Sequence, residues 1–291
     1  MKKFAAAVLA FISSGFLYAL PVGNPTEASL FLNGVWCEST ACDPCDPCFS
    51  WFDAWSFRVG FYGDYVYNRH LEVSHHNHRG GDIQTTTLFT NAGYLVLNFC
   101  DRLDVFATLG ATHLHIKTDD SAWDTTQIIS TQSELDFVPH FSWSIGARAT
   151  LLEFCCFGLG VEGQYFAFIP EPNYFFEYSN GAFVYLDEAK PAHYREWQVG
   201  LGISYRFSIS CPTVAMLPYA AVKWSGAHLD MNDFVFEDIN GDTYILNDVG
   251  SKKLWGYALG LTFTLCDLMG VTVEGRWGDE KALYVNGQLR F

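Results

Sequence analysis

The feature that most constrains the fold is a strict alternation of apolar and polar positions over unusually long stretches. In residues 55–69 the odd-numbered positions carry most of the aromatic side chains, and most even-numbered positions carry small or polar ones. A side-chain period of two predicts a β-strand with one apolar face. The same pattern returns in residues 141–151, 196–207, 255–265 and 283–291. The chain is therefore predicted to be all-β.

Three properties favour a transmembrane antiparallel β-barrel over a soluble β-sandwich, which alternates as well. The strands run ten or more residues, close to the ~9–11 needed to cross a bilayer and longer than the ~5–6 usual in globular proteins. The face opposite the aromatic residues is rich in Gly, Ser and Thr, which suits a polar lumen. Short turns at 100–102, 153–156, 210–213 and 266–269 alternate with long loops at 70–82, 117–136, 170–193 and 230–251. This alternation is typical of outer-membrane barrels.

We predict an even strand number with ten strands placed directly. They lie near 55–69, 83–99, 103–116, 139–152, 157–169, 194–209, 214–229, 252–265, 270–278 and 281–291. Two hairpin signals, Asn180-Gly181 and Asn240-Gly241, fall inside long loops. Such dipeptides favour tight turns between strands. They would raise the count to twelve or fourteen if they joined the barrel, or remain surface hairpins; fourteen to sixteen strands are the upper limit.

The beginning of the chain has the order of a secretory signal peptide: Lys2 and Lys3, an apolar stretch over 4–12, and small residues before Ala19. We expect cleavage after Ala19. The apolar stretch is too short for a spanning helix, and no later segment offers ~18 uninterrupted apolar residues. The expected organisation is a signal peptide at 1–19, an N-terminal cysteine-rich periplasmic segment at 20–54 and a transmembrane β-barrel at 55–291.

Nine cysteines fall on one side of the predicted barrel. Cys37, Cys42, Cys45 and Cys48 precede the first strand, and Cys100, Cys155, Cys156, Cys211 and Cys266 lie in the short turns. If the first strand starts in the periplasm, all nine face this oxidising compartment, where disulfides are the default state. A metal site and free thiols are the alternatives. Because nine is odd, at least one thiol stays free or pairs outside the chain.

The Asp-Pro pairs between Cys42, Cys45 and Cys48 favour partners outside this run. Proline holds itself and the preceding residue in extended geometry. At ~3.1 Å per residue, cysteines three positions apart are separated by ~9 Å, which exceeds the ~7 Å limit for a disulfide. Each thiol must then find a turn cysteine or another protein. Stapling of the barrel base and cross-linking to other chains both remain open.

Long motifs now suggest a family. The stretches "ALPVGNPTEASL", "DPCDPC", "RVGFYGDYVYNR", "EWQVGLGISYRF" and "VEGRWGDEKALYVNGQLRF" resemble the chlamydial major outer membrane protein family with its porin paralogues. The resemblance implies an outer-membrane porin, assembled as a trimer, with disulfide partners among cysteine-rich envelope proteins. Cys45 and Cys48 match family cysteines. The chain is shorter than the family's usual length, which bears on strand number and pore width.

Alternation also predicts which charged side chains line the lumen. The predicted pore-lining residues are Arg58, Asp64, Arg148, Glu162, Glu196, Arg206, Lys223, Glu274, Arg276 and Arg290. With Asp104, six cations face five anions. The acidic loops repel anions at long range, but salt screens this repulsion over ~8–10 Å. The ion selectivity of a pore is set by rings of charged side chains in its lumen. We predict passive diffusion of small polar or anionic solutes in the outer membrane, combined with envelope rigidity through disulfide cross-linking.

Other functions are weighed against this porin. Barrels of about eight strands are filled by side chains, so the alternative is a plugged barrel acting as a structural protein, adhesin or surface antigen. The formal charge of −15, which becomes −17 without Lys2 and Lys3, argues against nucleic acid as a partner; membrane lipid is the expected contact. His75, His76 and His78 with Asp82 are interpreted as a solvated loop cluster. We expect no enzyme activity, cofactor or metal.

Overall fold

The structure is a computed structural model. It describes residues 20–32, 54–73, 83–118, 123–125, 132–178, 181, 183–186, 190–208, 214–232, 234–237, 241 and 243–291. Apart from one short 3-10 helix at Glu27–Ser29, the regular elements of these residues are strands. No helix in the described part is long and apolar enough to cross a membrane.

Nineteen strands are present in the described ranges. They are β1 (Trp55–Arg69), β2 (Leu71–Val73), β3 (Ile83–Phe99), β4 (Leu103–Thr118), β5 (Asp124–Thr125), β6 (Ser133–Val138), β7 (His140–Phe154), β8 (Phe157–Phe168), β9 (Glu171–Glu177), β10 (Phe183–Tyr185), β11 (His193–Tyr205), β12 (Phe207–Ser208), β13 (Val214–Asp230), β14 (Phe234–Glu237), β15 (Thr243–Leu246), β16 (Val249–Ser251), β17 (Trp255–Leu265), β18 (Met269–Trp277) and β19 (Glu280–Arg290).

Ten of these strands close into an antiparallel barrel. Their order around the ring is β1-β3-β4-β7-β8-β11-β13-β17-β18-β19, and β19 pairs with β1 from Arg58↔Arg290 to Arg69↔Glu280. Closure leaves no strand edge with unpaired backbone groups, as a lipid environment requires. The predicted all-β transmembrane barrel and its ten strands are confirmed.

The two loop hairpins stay outside the ring. β9 pairs with β10 across Gly181, and β14 pairs with β15 across Gly241. Both glycines have positive φ, +67° and +81°, which is the conformation that tight hairpin turns need. They extend the barrel on its long-loop side and do not widen it.

The two faces of the wall differ as the alternation predicts. The middle of the outer face carries exposed aliphatic side chains such as Ile145 and Leu201. Aromatic side chains such as Phe154 at the short-turn end and Trp255 at the long-loop end flank this band. An apolar band between two aromatic girdles is the lipid-facing surface of an outer-membrane barrel.

A β-bulge breaks the alternation near the end of β1. The register with β19 shifts between Val66 and Asn68. The extra residue reverses the phase of the strand, so Arg69 turns inward and is buried, whereas Asn68, placed on the inner face by simple alternation, is partly exposed. The bulge therefore adds one arginine to the interior.

An apolar cluster closes the interior at the long-loop end. Its members include Leu71, Ile116, Phe168, Tyr194 and Leu229, all buried. They come from the loop ends of neighbouring barrel strands and from the short β2. Water is therefore excluded from this end of the lumen in the described conformation.

Candidate functional site

Residues 20–32 lie inside the barrel, and we call them the inner segment. Every residue from Leu20 to Phe31 is buried, and Leu32 is exposed. Phe31 packs with Leu30, Ala215 and Leu217 near the short-turn end, whereas Leu20 joins the apolar cluster at the long-loop end. The segment thus fills the lumen from one end toward the other. The sequence predicts a periplasmic segment at 20–54; residues 33–53 of that range lie outside the described part.

Glycines on the inner wall make room for this segment. A Cβ at Gly160 would lie 1.7 Å from the carbonyl oxygen of Pro25, and one at Gly200 would lie 2.9 Å from Val22 Cγ1. Similar close approaches to the segment occur at Gly158, Gly202 and Gly270. Any side chain at Gly160 would overlap backbone atoms of the segment. The wall is shaped to receive residues 22–31.

Side chains of the wall satisfy the segment's backbone. Glu274 accepts hydrogen bonds from the N–H groups of Val22 at 3.1 Å and Gly23 at 2.8 Å. Gln198 donates to the carbonyl of Pro21 at 2.8 Å, and Lys223 donates to that of Leu20 at 3.0 Å. Because the segment forms no strand, these contacts replace the ladder bonds that buried backbone otherwise needs.

The same pattern continues toward the short-turn end. Arg148 Nη2 donates to the carbonyl of Val22 at 3.2 Å, and Arg58 Nη1 donates to that of Glu27 at 3.1 Å. Asn98 Nδ2 donates to the carbonyl of Ala28 at 2.9 Å. The predicted pore-lining side chains therefore hold the segment in place.

Charged side chains between the segment and the long-loop end form one connected group, here called the upper cluster. Arg69 contacts Glu196 at 3.0 Å, Asp279 at 2.9 Å and Glu280 at 3.2 Å. Lys223 lies 3.6 Å from Asp279. Arg276 pairs with Asp64 and lies 3.8 Å from both Glu274 and Glu280. All eight side chains are buried.

A second group lies nearer the short turns. Arg148 contacts Glu162 and also reaches Glu27 of the inner segment at 2.7 Å. Arg58 pairs with Asp104 and stands over the ring of Phe31, 4.8 Å from its centroid. Buried charges are tolerable when each is paired and hydrogen-bonded. The inner segment supplies part of that pairing.

The short-turn end opens into a cavity of about 720 Å³ beneath the segment. Arg206 pairs with Asp267 at 2.9 Å, and Arg290 pairs with Asp101 at 2.8 Å. Thr26, Ser29 and Leu30 form its inner boundary, and turn residues surround it. Two ion pairs lie at this end, whereas apolar side chains close the long-loop end.

The structure places nine of the ten predicted pore-lining residues at buried inward positions. They are Arg58, Asp64, Arg148, Glu162, Glu196, Lys223, Glu274, Arg276 and Arg290. Arg206 is instead partly exposed, at the short-turn end beyond β11. Their role in conduction stays a prediction. The interior also contains Arg69, Glu27, Asp279 and Glu280, which are not among the pore-lining residues that alternation predicts. The inward position of Arg69 depends on the β-bulge, which a period-two pattern cannot predict.

The described turn cysteines lie at the same end of the barrel. Cys155, Cys156 and Cys266 are exposed, and Cys100 is partly buried. Cys37, Cys42, Cys45, Cys48 and Cys211 lie outside the described residues, as does the His75–Asp82 cluster. In the part that is described, no group of three or more His, Cys, Asp or Glu side chains is placed to hold a metal ion.

Comparison with known proteins gives consistent matches. The model of the family described as Chlamydia major outer membrane protein matches residues 1–79 and 74–135. The chain is 31% identical over 399 aligned positions to a major outer membrane porin, serovar L1, of Chlamydia trachomatis, and 31% over 395 to one of Chlamydia abortus; both alignments cover 100% of each protein. Since this chain has 291 residues, the relatives carry insertions relative to it.

Solved structures match this chain only at low identity and low TM-score. The β domain of the Bordetella autotransporter BrkA is 10% identical with a TM-score of 0.41, covering 82% of this chain and 99% of that one. The COG4313 outer membrane channel from Pseudomonas putida F1 is 9% identical with a TM-score of 0.35, covering 86% and 99%.

Proposed function

Since the chain belongs to the chlamydial major outer membrane protein family and resides in the outer membrane, we propose that it is a porin gated by its inner segment. The observation that carries the proposal is the burial of residues 20–31 along the lumen, against a wall of mainly charged, hydroxyl and amide side chains with small apolar patches. With the segment seated, the passage is filled. With the segment displaced, Leu20 leaves the apolar cluster, and the lumen between that cluster and the short turns is lined mainly by charged and hydroxyl side chains.

The contacts of the segment suit a reversible gate. Between the segment and the wall, the described residues form hydrogen bonds, ion pairs and packing contacts. When the segment leaves, Glu274, Gln198 and Lys223 exchange its backbone groups for water. A net hydrogen bond contributes only ~0.5–1.5 kcal/mol because water competes for the same groups. The lumen that the segment vacates is therefore hydrated, and small polar solutes pass when the apolar cluster, which has lost Leu20, also parts.

The sign of the ion preference follows from the wall charges. The sequence predicts a weak anion preference from six cations against five anions. In the structure, Arg206 and Arg290 pair with turn aspartates, and Arg69, Asp279 and Glu280 join the interior. When Arg206 and Arg290 are left out because these aspartates offset their charges, five inner cations face seven wall carboxylates among the described residues. We propose small polar solutes with a weak cation preference, measurable as reversal potentials under a salt gradient.

An engineered disulfide tests the gate. A Cβ at Gly200 would lie 3.6 Å from Val22 Cβ, within the ~3.5–4.5 Å of natural disulfides. Oxidised V22C/G200C should hold the segment in the lumen and stay silent in planar bilayers. Reduction should restore discrete conductance steps. Equal conductance of the oxidised and reduced forms would contradict gating by this segment.

Controls separate the lock from other thiol chemistry. V22C and G200C alone carry the same new thiols singly and should respond to oxidation as the wild-type protein does. Mass spectrometry of peptides spanning residue 22 and residue 200 verifies the intended bridge against the nine native cysteines. Heat-modifiable migration on gels verifies that each variant has folded.

A second role, envelope cross-linking, is favoured by the turn geometry. Cys100, Cys155 and Cys266 have φ of 52°, 54° and 55°, a left-handed conformation that glycine and asparagine favour and that is uncommon for other residues. Cysteine is not the residue that the backbone prefers there. Three thiols kept at strained positions at the short-turn end support disulfide bonding to neighbouring envelope proteins.

Glycine substitution tests this second role. C100G, C155G and C266G should relieve the backbone and retain conductance, while disulfide-linked complexes on non-reducing gels decrease. Alanine at the same positions removes the thiol and keeps the strain, which separates the two effects. Unchanged complexes in the triple variant would assign cross-linking to other cysteines or refute it. A homotrimer, implied by the family resemblance, is part of the same proposal and is tested by the mass of the reduced protein.

A further inference from the structure

A group of basic side chains lies on the outer surface of the barrel at the long-loop end. Lys252 and Lys253 follow β16, Lys281 lies near the start of β19, and His70 connects β1 to β2. The backbone brings them together, because the N–H of Lys252 donates to the carbonyl of His70 at 2.9 Å and Lys281 pairs with Asn68. We call these four side chains the basic patch.

The members of the basic patch are close enough to affect one another. Burial lowers the pKa of the His70 imidazole, and the charges of Lys253 and Lys281 lower this pKa further. Arg69 also lowers it and Asp279 raises it, but these two side chains pair with each other at 2.9 Å inside the barrel. All three lysines of the patch are at least partly exposed. Their charges therefore converge on one place of the outer surface.

Positive charge is in excess at the patch although the chain as a whole has 17 basic and 32 acidic residues. The described carboxylates of residues 66–73, 248–257 and 277–285 are Glu72, Asp248, Asp279 and Glu280. Asp279 and Glu280 are buried and pair with an inner arginine, and Asp248 lies 4.0 Å from His228. Glu72 is exposed. Three lysines thus outweigh the exposed Glu72 in these ranges, and the patch attracts anions.

The height of the patch corresponds to the headgroups of the membrane. Tyr257 and Trp277 stack with ring centroids 6.4 Å apart in the aromatic girdle, and Trp255 follows Lys253 by two positions. At ~3.3 Å per residue, Lys253 lies within about 7 Å of the girdle, on its long-loop side. Aromatic girdles mark the interface between lipid and water. Because residues 278–279 alone connect β18 to β19, the rim of the barrel is low here.

We propose that the basic patch binds the phosphate of a lipid headgroup in the outer leaflet. Lysine binds phosphate as a point charge, and its stem can lie along apolar surface while the ammonium group reaches the headgroup. Lys252 and Lys281 also interact with other groups of the protein. Each ammonium group has three N–H donors, so these lysines can donate to a phosphate as well. The proposal depends on long loops that face outward and not on gating by the inner segment.

Titration with a phosphorylated lipid tests the site. Folded protein in detergent is mixed with bisphosphorylated lipid A, and the bound lipid is counted by native mass spectrometry. Dephosphorylated lipid A should bind about a hundredfold more weakly, since each lysine near an anionic surface contributes about a factor of five. Equal binding of the two lipids would overturn the proposal. Displacement of lipid A by inorganic phosphate at the same concentration would also overturn it, because free phosphate would then be the ligand.

Variants locate the site on the barrel. K253A should weaken binding of lipid A about fivefold, and K252A/K253A/K281A about a hundredfold. Arginine at the same three positions keeps the charges and should keep the affinity. The exposed Lys190 before β11 provides the matched control, and K190A should bind as the wild-type protein does. Heat-modifiable migration on gels verifies folding. Phosphate-dependent binding that K253A weakens no more than K190A does would overturn the assignment to the basic patch.

Discussion

Replacing Gly160 by alanine perturbs the contact between the barrel wall and the inner segment separately from the rest of the barrel. The added Cβ would lie 1.7 Å from the carbonyl oxygen of Pro25 and 2.5 Å from its carbon. These atoms belong to backbone and cannot rotate away. Overpacking of this kind costs typically ~1–3 kcal/mol, and each ~1.4 kcal/mol is a factor of ten in an equilibrium. The open fraction of G160A should therefore rise by about five- to a hundred-fold.

The matched control lies on the same strand. A Cβ at Gly163 meets only the carbonyl oxygen of Gln198 at 3.8 Å, which is ordinary contact. G163A should behave as the wild-type protein does in single-channel recordings and liposome swelling. G160A should show longer open times and greater susceptibility of residues 20–32 to a protease added on the short-turn side. Folded, inserted G160A with wild-type open times would refute the reasoning.

Two further predictions concern stability. R69A leaves Glu196, Asp279 and Glu280 without their shared cation. It should destabilise the barrel by about 3–5 kcal/mol in denaturant titration, as the loss of one partner from a buried ion pair does. Substitution of the exposed Arg195 in R195A is the control, and equal unfolding midpoints for R69A and R195A would contradict the pairing. Burial raises the pKa of Glu134 in the loop strand β6, but hydrogen bonds from Tyr178 and Lys117 outweigh it and hold the pKa below the ordinary 4.5. The Glu134 carboxylate therefore stabilises the folded loop above about pH 4.5, and this stabilisation is lost as pH falls below that. Protection of the β6 amides from hydrogen exchange should accordingly fall in acid. E134Q should abolish this pH dependence.

The barrel could be predicted because its signal is repetitive. Ten long stretches with a period of two each specify a strand, and the short turns specify their antiparallel order. The loop hairpins were recognisable from their Asn-Gly dipeptides, but the sequence did not decide whether they joined the ring. The pairing of β9 with β10 and the closure of β19 onto β1 show that the hairpins lie outside the ring.

The filling of the lumen could not be predicted in the same way. Residues 20–31 have no periodicity, because their backbone is satisfied by wall side chains from strands far along the chain. Alternation does not predict the inward position of Arg69, because one extra residue at the bulge inverts the face of the strand. The available signal was the row of inward glycines on β8 and β11, Gly158, Gly160, Gly200 and Gly202, which a hydrated lumen does not need.

State-dependent labelling tests the gate most directly. Val22 is fully buried when the segment is seated, so V22C should react with a charged, membrane-impermeant thiol reagent only while current flows. Each labelling event should leave that channel open, because the charged adduct cannot return beside Gly200. Wild-type protein given the same reagent controls for the turn cysteines. Current through V22C channels whose introduced thiol stays unlabelled, or labelling of closed channels without any change in current, would contradict gating by residues 20–32.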